Sequence, residues 1–180
     1  EGYISTANNK TIGNEFPYYI SGLWADPSRS SRIKEVLGED KKFSLEDMKS
    51  LQLDLTSNYS KEILPAILKN AGTYENPIFN RAIQFLNDWN HVESIDSEGT
   101  LIFHSISNEI IRNIYYDELS VLGDKYFETY IGLKYITKRN LRRILKSHTN
   151  KWVDDIRTPN KNETIDEIIT KSIESGIQKV

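Results

Sequence analysis

Two stretches of this sequence gather side chains able to do chemistry. The first is Gly2-Tyr3-Ile4-Ser5-Thr6-Ala7-Asn8-Asn9-Lys10, where an apolar run that reads as a strand over 2–7 ends in two amides. A carboxamide is neutral at every working pH and donates two N–H bonds. Held at a rigid strand end, it can stabilise developing negative charge without transferring a proton. The second is Ser30-Ser31-Arg32-Ile33-Lys34-Glu35-Val36-Leu37, which reads as the first helix and carries Arg32. A guanidinium stays charged and presents a planar fork suited to an amide oxygen or a carboxylate. Both features also have plainer readings: an Asn-Asn pair is commonly a turn, and an arginine beside a helix's apolar stripe is commonly a solvated charge.

The elements that must position these residues follow from caps and periodicity. Asp26-Pro27 supplies an N-cap and a first-turn proline, and Gly38 a stop, so a helix of about ten residues fits between them. Ser44 with Asp47 forms a capping box, after which Met48, Leu51, Leu55, Tyr59 and Ile63 recur at helical steps until Pro65, which should kink or end the helix. Asn76-Pro77 opens another helix with Phe79, Ala82, Ile83 and Leu86 inward. After a turn at 96–99, Phe103, Ile106, Ile110 and Ile114 define a long amphipathic helix, and further apolar periods run through 126–131 and 133–145. Thr158-Pro159 breaks the chain, and Thr164 with Glu167 caps a last helix carrying Ile165, Ile168, Ile169 and Ile173. Between Lys10 and Ala25 lies an aromatic loop containing Phe16, Tyr18, Tyr19 and Trp24, expected to be ordered by packing of its rings. The fold class is therefore mostly α: a strand and loop over 1–25, then an all-helical 26–180 of six or seven helices.

Composition narrows the chemistry. The 180 residues are 38% hydrophobic and 27% charged with a formal net charge of -3, which indicates a folded domain without a general pull toward nucleic acid or anionic lipid. The sequence has no cysteine, which excludes disulfides, thiolate metal sites and a cysteine nucleophile. Apolar runs fall far short of the roughly 18 residues that a membrane span needs. The strand at 2–7 lacks a readable partner, the first residue is Glu1, and Val180 ends an amphipathic pattern. These features lead us to expect a cut or processed piece of a longer chain, in which the strand would be frayed or displaced on its own.

Taken together, these motifs resemble the penicillin amidase family, acylases with an N-terminal nucleophile. The resemblance rests on Gly-Tyr-Ile-x-x-Ala-Asn-Asn-Lys at 2–10, Pro17-Tyr18-Tyr19, Arg32-Ile33, Leu45-Glu46-Asp47-Met48, Gln52-Leu53-Asp54, Leu86-x-x-Trp89, Trp152-x-Asp154-Asp155, Thr158-Pro159 and Glu163-Thr164. It implies a helical part of the large chain, with the strand and loop belonging to an αββα core. It further implies a precursor cut so that a serine becomes an N-terminal nucleophile, using its own α-amino group as base. Asn8 would then donate to the oxyanion, with Arg32 as its supporting residue. Glu1 is no nucleophile, and Ser5 lies inside the strand. The nucleophile, the rest of the oxyanion hole and the calcium-binding carboxylates that the family often has would lie elsewhere on the precursor, leaving this piece inactive alone. Its partners would be the remainder of that precursor and a small-molecule amide, with no nucleic acid and no membrane. Most of the family is periplasmic or extracellular.

Other constellations read more plainly. His91, His104 and His148 lack a second ligand at helical spacing, and Asp154-Asp155 alone offers too few oxygens for calcium. The basic run Lys138-Arg139-Asn140-Leu141-Arg142-Arg143 reads as a solvated helix face, with a nucleic-acid surface as its rival. A non-catalytic helical interaction domain is the alternative to an acylase, favoured by exposure of Tyr18, Tyr19 and Trp24.

Overall fold

The computed structural model describes residues 2–147 and 150–180. Glu1 and His148 lie outside the described residues. Eight α-helices are present among them: α1 (Ser28–Leu37), α2 (Leu45–Gln52), α3 (Asn58–Lys69), α4 (Pro77–Asp88), α5 (Glu98–Ser120), α6 (Asp124–Gly132), α7 (Lys134–Ser147) and α8 (Ile165–Ile177), with a 3₁₀ turn at Lys151–Val153.

The 23-residue α5 is the spine. It buries Ile102, Phe103, Ile106, Ile110, Ile111 and Ile114, so both of its flanks are apolar and it is surrounded by α4, α6 and α8. Its closest partner is α8, which contributes Ile165, Ile168, Ile169, Ile173 and Ile177. The crossing is tight where Gly176 meets Ile106. Ser105 Oγ donates to Gly176 O at 2.8 Å there, and Asn113 Nδ2 donates to Ser172 Oγ at 2.9 Å a little further along. Both expected capping boxes form, at Ser44 with Asp47 and at Thr164 with Glu167.

Three expectations are corrected. The single helix running on from Ser44 is two, because residues 53–57 leave the helix. Asp54 turns to accept from Thr56 N–H, Thr56 bridges Val92, and Ser57 caps a fresh start with its Oγ on Ser60 N–H. Pro65 neither ends nor breaks α3. Its ring is on the exposed side, while Ile63, Leu64 and Ile67 are buried, and their burial outweighs a local penalty of about 3 kcal/mol. No strand forms at 2–7, as expected for a segment with no neighbouring strand among the described residues to pair with it. Instead the segment lies along α1, with Tyr3 near Lys34 and Ala7 near Arg29, and Ile4 is fully exposed. Of the loop aromatics Trp24 is half-buried, but Phe16, Tyr18 and Tyr19 do not pack inward. Tyr18 and Tyr19 are 73% and 85% exposed, and the Phe16 ring meets that of Tyr18 edge-on at the surface.

The tight α5–α8 crossing makes a direct prediction. A Cβ at Gly176 would stand 2.8 Å from Ile106 Cα. Gly176→Ala is therefore expected to destabilise by about 1–3 kcal/mol, an overpacking cost, which calorimetry would read as a fall of several degrees in Tm. An unchanged Tm would show that the two helices are free to separate.

Candidate functional site

The two amides at the head of the chain have different tasks. Asn9 is buried; its Oδ1 accepts from Ala7 N–H at 3.0 Å and its Nδ2 donates to Lys10 O at 2.9 Å, which makes the turn. Asn8 is exposed and sits in the left-handed region at φ 59°, a conformation that asparagine tolerates better than most residues. Its backbone is fixed by Ala25 N–H donating to Asn8 O at 2.8 Å. Its side chain is fixed by Arg29, whose Nη2 donates to Asn8 Oδ1 at 2.8 Å and to Ala7 O at 3.1 Å. The carboxamide oxygen is thus occupied by a cation, and both Nδ2 hydrogens remain available for an acceptor outside the described residues.

Arg29 rather than Arg32 makes this contact. Arg32 lies one turn further along α1, where its Nε and Nη2 both reach Asp54 Oδ2, at 2.9 and 2.5 Å, and its Nη1 reaches Glu35 at 2.9 Å. Burial pushes the Asp54 carboxyl upward, and the hydrogen bonds from Arg32 and Thr56 outweigh it and hold the group at about 2. The guanidinium of Arg32 is thereby spent on tying α1 to the segment before α3. Sequence reasoning passed over Arg29. The available signal was its place in the first turn, at the end of α1 nearest the loop that returns to Asn8.

What holds Arg29 in place begins far along the chain. α1 starts at Ser28, whose N–H is accepted by Asp26 Oδ1 at 3.0 Å. Arg142 of α7 reaches both residues, with Nη2 3.2 Å from Asp26 Oδ1 and 2.7 Å from Ser28 Oγ. Its Nε lies 2.8 Å from Glu62 of α3, within ion-pair distance but not aligned as a hydrogen bond. The neighbouring Arg139 donates to Trp24 O at 3.4 Å, holding the loop that carries Ala25. Two arginines of the basic run are therefore directed inward, which corrects the reading of that run as a solvated face.

The two described histidines, His91 and His104, form no shared centre. His91 Nδ1 is 2.9 Å from the fully buried Ser60 Oγ, and that hydroxyl donates to Ser57 O, so Ser60 is a structural group. His104 Nε2 lies 3.4 Å from Glu93, and this hydrogen bond holds the Glu93 carboxyl at about 2 against the opposing effect of burial. Asp155 takes both arms of Arg157, and Asp154 accepts from Glu163 N–H. Among the described residues there is no group of three or more acidic or histidine side chains placed to hold a metal ion.

The Arg32–Asp54 clasp has an acid signature. The folded pKa of Asp54 lies below its ordinary 3.8, so its contribution to stability is complete above that value and is lost as pH falls toward about 2. Chemical denaturation across pH 4 to 2 is expected to show a smaller loss of stability in Arg32→Leu than in the unmodified protein. Parallel curves would mean that the clasp contributes nothing.

Comparison with known proteins identifies the family. The family model for penicillin amidase matches residues 1–180. An acyl-homoserine lactone acylase, QuiP, of Pseudomonas aeruginosa is 22% identical over 194 residues, covering 99% of this chain and 22% of the relative. The QuiP of Pseudomonas fluorescens is 22% identical over 196 residues, covering 98% of this chain and 23% of the relative. The chain thus spans less than a quarter of the length of the curated relatives that it matches. With the whole of its length matched by the family model, the chain belongs to the penicillin amidase family.

Proposed function

We propose that this chain supplies the oxyanion donor of an acylase that hydrolyses a linear amide, such as a penicillin or an N-acyl amide. The observation that carries the reading is the Arg29–Asn8 pair: a charged fork takes the carboxamide oxygen and leaves the N–H bonds to face a substrate. The family membership and the names of the two relatives point to the same chemistry.

In this reading, a serine at the N-terminus of the large chain, elsewhere on the polypeptide, attacks the amide carbonyl while its own α-amino group takes the proton. Electron density moves onto the carbonyl oxygen, and Asn8 Nδ2–H donates to that oxyanion. The Arg29 guanidinium donating to Asn8 Oδ1 polarises the carboxamide, making the N–H a stronger donor. The C–N bond breaks, the amine leaves with the proton, and water releases the acid from the acyl-enzyme. Arg29 acts as the positioning residue and Arg32 as a support for α1. The helical body would belong to the large chain, with residues 2–25 lying against an αββα core contributed by the rest of the polypeptide. The exposure of Ile4, Tyr18, Tyr19 and Leu23 suits a surface covered in that way. In this reading the 180 residues alone would not hydrolyse an amide, because the nucleophile lies elsewhere.

The test is hydrolysis of chromogenic phenylacetyl and fatty-acyl amides by the full-length polypeptide and its Asn8→Ala variant. Loss of about 100- to 1,000-fold in kcat with folding intact is expected for an oxyanion donor. An unchanged rate would remove Asn8 from the mechanism, and a full-length protein inert on every amide would favour an interaction domain.

A further inference from the structure

Arg29 also lines a cleft of about 450 Å³, walled by the start of α1, the start of α3 and the first turns of α7. Two independent features of this cleft point to a ligand. Asp26 Oδ2, Asn58 Oδ1 and the Tyr59 hydroxyl are buried there without a hydrogen-bond partner among the described residues, and Asp26 and Tyr59 are only 9% and 4% exposed. A buried polar atom left unpaired costs about 1–3 kcal/mol, so three in one cleft call for donors from outside.

The charges are arranged to complement them. Two carboxylates of the cleft have their counter-ions elsewhere, Asp26 on Arg142 and Asp54 on Arg32, while Glu93 lies 3.4 Å from His104 Nε2 and also feels the charge of Lys138. Three cations of the same cleft, Arg29, Lys134 and Lys138, have no carboxylate within 4 Å among the described residues. Arg29 holds Asn8, Lys134 donates to Asn108 Oδ1 at 3.2 Å, and Lys138 sits 4.9 Å above the Tyr59 ring. Neither lysine is in ion-pair contact with a carboxylate among the described residues, and both stand beside acceptors without a partner.

We infer that this cleft seats an amino acid as the amine half of the substrate, with its carboxylate on Lys134 and Lys138 and its N–H or O–H groups on Asp26 Oδ2 and Asn58 Oδ1. The inference rests on the reading of Asn8 as oxyanion donor, because Arg29 is the wall shared by Asn8 and the cleft and so puts the scissile bond at the cleft's mouth. It separates this chain from acylases suited to a neutral lactone. An acylated homoserine and its lactone have the same carbon skeleton and differ in the charge that Lys134 and Lys138 would read.

The experiment compares the full-length polypeptide with Lys134→Gln/Lys138→Gln and Lys134→Arg/Lys138→Arg on N-acyl-homoserine and N-acyl-homoserine lactone. The open acid is expected to have the lower KM. The Gln pair should shrink the open-acid preference about tenfold through KM, and the Arg pair should restore it, as expected for a charge-assisted hydrogen bond. Calorimetric titration of free homoserine and its lactone into the Asn8→Ala protein reads the cleft without turnover, and homoserine should bind more tightly. A preference that the Gln pair retains, or equal binding of the two amines, overturns the inference. Tighter homoserine binding in a protein that hydrolyses no amide would keep the cleft as an amino-acid site and reject the oxyanion reading.

Discussion

The contact between Arg142 and Asp26 organises everything near the head of this chain. Both side chains are about nine-tenths buried, and the two residues are 116 positions apart, so the bond closes α7 onto the first turn of α1. A buried pair of this kind adds little net stability, because desolvation offsets most of the attraction. Removing one partner, however, strands a buried charge at a cost of about 3–5 kcal/mol. Its value here is positional. With Asp26 and Ser28 fixed, α1 starts in one place, and Arg29 emerges where it can hold both Ala7 O and Asn8 Oδ1. Glu62 draws α3 into the same arrangement.

Behind this network stands an apolar scaffold that makes the placement rigid. α5 is buried along most of its length, and α8 lies so close against it that only a glycine fits at 176. The α7 helix belongs to both layers. Leu141 and Ile144 face the core, while Arg139 and Arg142, at intervening positions, reach toward the loop and α1. The same helix therefore carries packing and positioning, and Lys134 and Lys138 at its first turns line the cleft beside Arg29. By contrast, residues 2–25 have few contacts of their own and present Ile4, Tyr18, Tyr19 and Leu23 to solvent.

Much of the helical body was legible in the sequence because its signals are local. The Thr164–Glu167 box, the Asn76-Pro77 start and the isoleucine period of α5 each depend on residues within a few turns of one another. The interruption between α2 and α3 was not legible, since Asp54 leaves the helix for Arg32 and Thr56 for Val92, partners that periodicity does not reveal. Pro65 misled in the opposite sense, because burial of its neighbours overrode a local rule. At the site, Asn8 could be singled out by chemistry and by resemblance. Choosing between Arg29 and Arg32 required knowing which turn of α1 faces the loop, and that is decided by Arg142 from far along the chain.

The central proposal is that Arg29, by holding Asn8 Oδ1, turns the Asn8 N–H bonds toward a substrate, while Arg32 acts only on the packing of α1. The measurement that tests it most directly is single-turnover acylation by the full-length polypeptide carrying Arg29→Leu, Arg32→Leu, and each of these combined with Asn8→Ala. The account predicts a large fall in rate for Arg29→Leu that is not additive with Asn8→Ala, and a much smaller effect for Arg32→Leu that is additive. Additive losses for Arg29→Leu and Asn8→Ala, or a larger loss at Arg32 than at Arg29, would contradict it.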